Sequence, residues 1–322
     1  MNKTGIEWCD MTFNPITGCY HNCEYCYAMK QSQRFRGHFH EKDGKTFPCH
    51  TYSKYSIHKK TGYCIIAEAD IQHLHGEREL RPASKDPDNK DVVQYFPIFQ
   101  LDAPLEYLRK DDTIQDASYP FGFLPTFHRY RLDEPQKVKK PQNVFVGSMA
   151  DVFGEWVSDK WIEEVFKACE AAPQHRYLFL TKNPKRYEKI YRDMPKNFWY
   201  GHTATCQKEM MSNQETRHNA FCIFNAYLSL EPLRESIKFD GFVMPDWVIV
   251  GAETGNRKGK TIPKREWIEN IVNVCRAANV PVFLKNNLKD VWESCEGCEQ
   301  NTNGCYGECR TLIQEFPWEV PS

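Results

Sequence analysis

Cys19, Cys23 and Cys26 stand in the run Gly18-Cys19-Tyr20-His21-Asn22-Cys23-Glu24-Tyr25-Cys26-Tyr27, a C-x3-C-x2-C spacing. A 4Fe-4S cluster normally takes four cysteine thiolates, so a compact loop that offers three leaves one iron open to an outside ligand. An open iron is a place for chemistry. Tyr25 sets an aromatic ring directly before the last cysteine. The competing reading is zinc, with Cys9 or His21 completing a tetrahedron, although structural zinc loops more often come as paired C-x2-C arms.

A second group, Cys295, Cys298, Cys305 and Cys309, has the spacing C-x2-C-x6-C-x3-C in a Glu, Gly and Asn segment almost without apolar residues before Leu312. Such a segment has little core of its own, and bound metal would supply the ordering free energy. Four ligands without a vacancy fit an auxiliary 4Fe-4S cluster or a Zn(Cys)4 knob, with free thiols as the third reading. Cys49, His50, His58, Cys64, His73 and His75 are also ligand types, but their spacing matches no tight finger, so solvent-facing or core roles are expected. Fourteen cysteines without an export signal point to metal binding and reduced thiols rather than disulfides.

The elements that must position these groups are short apolar runs: Val144 to Gly147, Tyr177 to Leu180, Phe198 to Gly201, Ala226 to Ser229, Trp247 to Val250 and Val282 to Leu284. Uniformly apolar runs of this length are expected of buried parallel strands. Helices are expected over 159–172, 184–191 and 264–278, the last with Trp267, Ile271, Val274 and Cys275 in helical spacing. Alternating strands and helices imply a right-handed α/β wind, open or closed into a barrel. Ser148 and Asp151, Thr181 and Lys182, His202 and Thr203, Glu231, Glu253, and Lys285 and Asn286 follow the successive strands. Carboxyl ends of such strands gather at one mouth, where active sites lie. Glu231, Glu253 and Lys285 are the candidate acid-base groups there, or bind ribose or substrate. Some of the set are turn or cap residues on this pattern, such as Thr181 and Asn183 before Pro184.

With 322 residues and 41% hydrophobic content, the chain can bury a full core, read here as one large domain with insertions. Residues 1–26 hold the cluster loop and the first strand, 27–142 an irregular insertion or lid, 143–290 the β/α core and 291–322 the Cys-rich end. A net charge of -1 gives no global field toward nucleic acid or membrane. No long apolar run or signal-peptide pattern is present, so a cytoplasmic protein without a membrane partner is expected. Between Ser118 and Arg131, aromatics alternate with cations, a pattern that could stack bases or pack as a loop. Lys137, Lys139 and Lys140, or Lys182, Lys185 and Arg186, are candidate phosphate contacts or ordinary solvated charges.

The cysteine spacing and Tyr25 resemble the cluster loop of the radical S-adenosylmethionine (SAM) superfamily. Longer stretches are similar to a phage-associated radical SAM-like family of unknown function: Gly5 to Asp10, Thr12 to Cys19, Val144 to Phe153, Leu180 to Pro184, Leu228 to Leu233, Asp246 to Gly255 and Phe283 to Lys285. The resemblance implies a partial (β/α) barrel with SAM across the strand ends, where SAM's amino and carboxylate groups chelate the open iron. One electron from the cluster then cleaves SAM and releases a 5′-deoxyadenosyl radical. By family position, Ser148 and Asp151 contact the SAM amino group in place of a Gly-Gly-Glu run that this chain lacks; Tyr25, beside the last cysteine, and Thr181, Lys182 and His202, from their places at the strand ends, are the further cofactor-site candidates.

The implied function is a radical SAM enzyme modifying a nucleobase or nucleoside, such as a phage DNA hypermodification that rearranges a substituent on thymine, in the host cytoplasm. Isomerase, transferase and oxidoreductase outcomes stay open, and a flavodoxin- or ferredoxin-type donor would supply the electron. Cys206 and Cys222 are candidate hydrogen-atom donors by residue type alone. The alternatives are radical SAM modification of a peptide or amino acid, with the C-terminal cysteines as an auxiliary cluster, and a non-catalytic zinc-stabilised binding protein.

Overall fold

All six apolar runs become strands of one sheet in the computed structural model. The structure describes residues 1–34, 98–104, 113–187, 195–212, 225–293 and 311–319; of the short strands between 41 and 97, and of 106–108 and 114, only the backbone is described. The strands of the two larger sheets are, in chain order, β1 (Asn2–Lys3), β2 (Met11–Phe13), β3 (Ile16–Thr17), β4 (Glu77–Lys85), β5 (Val93–Leu101), β6 (Thr126–His128), β7 (Asn143–Val146), β8 (Arg176–Thr181), β9 (Phe198–Thr203), β10 (Asn225–Leu230), β11 (Trp247–Val250) and β12 (Val282–Leu284). One sheet has the order β1-β2-β7-β8-β9-β10-β11-β12, the other β3-β6-β5-β4. The large sheet is mostly parallel: β7 runs parallel to β2, and β9, β10, β11 and β12 pair in parallel in turn. Its order ends at β1 and β12, so the described strands do not close into a barrel. By chain contacts, the molecule divides into a first unit, Met1–Thr4 with Met11–Tyr177, and a second, Gly5–Asp10 with Leu178–Ser322.

In the first unit, helix α1 (Tyr27–Arg34) follows the cysteine loop and helix α2 (Asp159–Glu170) follows β7. The Ser158 hydroxyl accepts the Trp161 N–H at 3.1 Å and caps α2, an N-terminal bond worth about 1 kcal/mol. Trp161, Ile162, Val165, Phe166 and Cys169 form its buried face at helical spacing. The segment read as irregular carries β4, β5 and β6, and its aromatic and cationic run is core. Tyr119, Phe121, Phe123 and Phe127 are buried, and Phe121 stacks on Phe99 with centroids 3.8 Å apart. Arg129 donates to Glu164, Asp102 and Gln100, and Arg131 to the carbonyls of Asn14 and Ser118. These rings are therefore not a base-stacking surface. Packing rings inside removes a large apolar area from water, and the interleaved cations are taken up by ion pairs at Arg129 and by backbone carbonyls at Arg131.

In the second unit, β10, β11 and β12 are buried along almost their whole length. Helix α3 (Arg265–Ala277) covers them with Ile268, Ile271, Val272 and Cys275, while Trp267 and Val274, expected on the inner face, are only partly buried. Trp267 instead lies under the Lys264 ammonium, 5.6 Å from the ring centroid. Trp8, Tyr227, Trp247, Phe283, Phe316 and Trp318 build an aromatic cluster with neighbouring centroids 5.2 to 6.5 Å apart. Residues 311–319 run along the outer edge of β12: Leu284 donates to Ile313 at 2.7 Å and Glu315 to Val282 at 3.0 Å. That pairing blunts an edge that would otherwise be open to another chain. Among the described residues, no helix is long and apolar enough to cross a membrane.

Candidate metal centre

Gly18 sits at φ +86°, where an added Cβ would overlap the Leu124 carbonyl, so the entry to the cysteine loop admits only glycine without backbone movement. Its N–H donates to the Met149 carbonyl at 2.9 Å, and the Cys19 N–H donates to Phe123 at 3.2 Å. Inside the loop, Asn22 takes the left-handed conformation at φ 51°, and the Cys26 N–H closes a turn onto the Cys23 carbonyl at 3.0 Å. The chain then enters α1 at Tyr27, whose hydroxyl donates to the Ser148 carbonyl at 2.6 Å. The loop is thus tied to the turn after β7 by backbone at its entry and by the Tyr27 side chain at its exit. Tyr25, the ring before the last cysteine, is half-buried.

Two sulfurs accept backbone donors: His21 N–H to Cys19 Sγ at 3.5 Å and Met29 N–H to Cys26 Sγ at 3.3 Å. Burial pushes the Cys19 thiol well above its ordinary pKa, the Asp151 carboxylate and the neighbouring Cys23 and Cys26 add to this, and the His21 N–H works against it. Ser148 and Asp151 lie beside the loop. The Ser148 hydroxyl and the Met149 N–H both donate to Asn14 Oδ1 at 3.1 Å, which fixes the turn. Asp151 accepts the Phe153 N–H on Oδ1 at 3.0 Å and His21 Nε2–H on Oδ2 at 2.7 Å.

Among the described residues, no three His, Cys, Asp or Glu side chains converge on one point as a single bound ion requires. The zinc tetrahedron considered for the loop would have drawn on His21 or Cys9. His21 meets Asp151 through Nε2, a contact that a metal-bound imidazole also makes, and Cys9 is buried with its Sγ toward the Ile6 carbonyl at 4.0 Å. A 4Fe-4S cluster makes a different demand, because each thiolate serves its own iron and the protein contributes sulfurs on a fixed loop with hydrogen bonds to them. Cys19, Cys23 and Cys26 stand on the anchored loop, with backbone donors on the Cys19 and Cys26 sulfurs. Cys295, Cys298, Cys305 and Cys309 lie outside the described residues, as do Cys49, His50, His58, His73, His75, Cys222 and the side chain of Cys64.

The second unit gathers a different group at the strand ends. Glu231 follows β10 and Lys285 follows β12; the Lys285 ammonium donates to Glu231 Oε1 and lies 3.7 Å from Glu7 Oε2. Glu7 Oε1 also accepts the Asn286 N–H at 3.2 Å. A Cβ on Gly251 would come within 2.9 Å of Lys285 Cδ and 3.1 Å of Glu231 Cδ, so the missing side chain makes room for the pair. Burial works to lower the Lys285 pKa, yet Glu231 and then Glu7 hold it above its ordinary value. Lys285 is therefore a cation rather than a base near neutral pH. Glu253 is buried and takes a two-pronged contact from Arg257, Nε at 2.6 Å and Nη2 at 2.7 Å.

Of the remaining candidates, His202 and Thr203 are the last residues of β9 rather than a loop after it. Pairing continues past Gly201 through His202 with Leu228 and Thr203 with Ser229. Thr181 Oγ1 accepts the Asn183 N–H at 2.9 Å, the turn role weighed for it, and Lys182 is half-buried. Lys137 pairs with Asp133, Lys139 donates to the Gln136 carbonyl, Arg186 is buried and Cys206 is half-buried. Glu7, Asn14, Arg257 and Gly251 were not singled out from sequence. Glu7 and Asn14 do sit inside the stretches Gly5 to Asp10 and Thr12 to Cys19, which carry the family resemblance.

The family described as "Protein of unknown function (DUF5131)" matches residues 3–70 and 108–289, more than half of the chain. No curated protein and no solved structure matches.

Proposed function

We propose that the chain, which belongs to the DUF5131 family, is a radical SAM enzyme whose Cys19, Cys23 and Cys26 hold a 4Fe-4S cluster with one iron open to SAM. The observation that carries the reading is the three-cysteine loop, pinned at Gly18, Cys19 and Tyr27, with backbone donors on two of its sulfurs. In this reading the mostly parallel sheet belongs to a partial (β/α) barrel. Bound there, a reduced cluster would supply the electron that cleaves SAM to methionine and a 5′-deoxyadenosyl radical. The chain's own part is positional. Met149 and Phe123 carbonyls hold the loop's entry, Tyr27 holds its exit, and Asn14 fixes the Ser148–Met149 turn against which SAM's amino group would lie. His202, Thr181 and Lys182 stay in the proposed cofactor site by their places at the strand ends and Tyr25 by its place in the cysteine loop, and Glu231, Glu253 and Lys285 remain substrate-site candidates.

A nucleobase or nucleoside substrate, as in phage DNA hypermodification, rests on the resemblance, since the aromatic run that also motivated it is buried. Peptide or amino-acid modification is the second substrate reading, carried by the C-terminal cysteines as an auxiliary cluster or zinc site. A flavodoxin- or ferredoxin-type donor and a cytoplasmic setting complete the proposal. Anaerobically reconstituted protein given dithionite and SAM should release methionine and 5′-deoxyadenosine, and Cys23→Ala should not. Iron-loaded wild-type protein that leaves SAM intact would overturn the reading.

A further inference from the structure

We propose that His21 and Asp151 form a positioning pair that sets the hydrogen bonding at the Cys19 sulfur, and through it the redox poise of the centre. The inference rests on the cluster reading of the cysteine loop. His21 lies between the first two cysteines and makes two contacts of different kinds. Its backbone N–H donates to Cys19 Sγ at 3.5 Å, and its side-chain Nε2–H donates to Asp151 Oδ2 at 2.7 Å.

The acceptor is itself fixed. Asp151 is 5% exposed, and its other oxygen accepts the Phe153 N–H at 3.0 Å. The His21 ring also meets Trp156 edge-on, with centroids 5.0 Å apart at 75°. Trp156 is buried, and a Cβ on Gly154 would overlap its indole, so that wall too is built for close contact. The segment after β7 thereby holds the imidazole on two sides, and with it the peptide that carries the N–H···S bond. Family position gives Asp151 a direct contact with SAM's amino group. In this structure its two oxygens accept the Phe153 N–H and the His21 Nε2–H, so it bears on the centre through His21 as well as by its charge beside Cys19.

Hydrogen bonds to cluster sulfurs tune the reduction potential, and groups that orient the ligands act from one shell further out. An N–H···S bond favours the more negative, reduced cluster, so releasing His21 should move the potential to more negative values. The test uses the full, anaerobically reconstituted chain as wild type, His21→Ala, Asp151→Ala, the double variant and His21→Gln. The potential of the SAM-responsive signal is followed by electron paramagnetic resonance, beside iron content and thermal melting.

His21→Ala should shift the potential negative; Asp151→Ala removes the same hold on His21 but also a carboxylate that opposes negative charge at Cys19, so the double variant should differ from the sum of the two singles. His21→Gln, whose side-chain amide can still donate to Asp151, should recover most of the shift. If alanine variants lose iron instead, restoration by His21→Gln supports the pair, and failure to restore it overturns the pair. Unchanged potential, or shifts that add, would overturn it while leaving the cluster in place. A wild-type protein without any SAM-responsive cluster would overturn the cluster reading and this inference together.

Discussion

The cysteine loop of the first unit and the charged group at the strand ends of the second are built on opposite plans. Cys19, Cys23 and Cys26 come from one short stretch, and what holds them comes from elsewhere: Met149 and Phe123 on Gly18 and Cys19, Asp151 on His21, Ser148 on Tyr27. Glu7, Glu231 and Lys285 come from distant parts of the chain and hold one another. Neighbours position the sulfurs without neutralising the charge that thiolates would bring, whereas Lys285 is shared between two carboxylates and offsets one of their two charges. Groups that are positioned but not neutralised are the better candidates for binding something further. Groups that satisfy each other serve stability first.

The sharpest break of the first plan is Gly18→Ala. It forces a left-handed alanine and drives Cβ into backbone that cannot swing away, so a loss of about 3 kcal/mol is expected in urea unfolding, with loss of bound iron. A midpoint near wild type would mean that the loop is not pinned there. In the second plan, Lys285→Met leaves Glu7 and Glu231 without their cation and should cost about 2 kcal/mol by the same measurement. Adding Glu231→Gln to Lys285→Met should return part of that loss; a double variant as unstable as the sum of the singles would show that the pair is not coupled.

Gly251→Ala tests the same group more gently. Its Cβ meets the flexible stems of Lys285 and Glu231 rather than backbone, so about 1 kcal/mol is expected, clearly less than at Gly18. Equal losses at the two glycines would erase the contrast between a backbone-built and a side-chain-built site. The smallest effect belongs to Glu315, which burial would raise but which the Arg276 fork and the Val282 N–H hold below its usual pKa. Its folded-state pKa is depressed, so its stabilisation is complete above the ordinary carboxylate range and is lost as pH falls through the lower folded value. Arg276→Met should cost about 0.5 kcal/mol at pH 7 and flatten that acid limb in unfolding measured from pH 7 to pH 3. An acid limb as steep as wild type would place the effect elsewhere.

The contrast also explains what could be read from sequence. The cysteine loop was legible as a motif because its three cysteines are close in sequence, and the parallel strands were legible because burial on both faces leaves uniformly apolar runs such as Trp247 to Val250. Glu231 and Lys285 could be placed at strand ends, but their pairing with Glu7 could not, since no local pattern links residues so far apart. His21 was considered as a metal ligand, and its bond to Asp151 depends on a crossing that spacing does not encode. The aromatic and cationic run misled because alternation of rings and charges looks alike on a surface and in a core whose cations are paired.

The measurement that bears most directly on the cysteine loop is the electron paramagnetic resonance spectrum of anaerobically reconstituted, dithionite-reduced protein with and without SAM, beside the Cys19→Ala, Cys23→Ala, Cys26→Ala triple variant. A 4Fe-4S signal that changes on adding SAM in the wild type, with no SAM response in the triple variant, is the expected result; any signal left in that variant would report a second cluster. Iron-loaded wild-type protein whose spectrum is indifferent to SAM would contradict an open iron at these three cysteines.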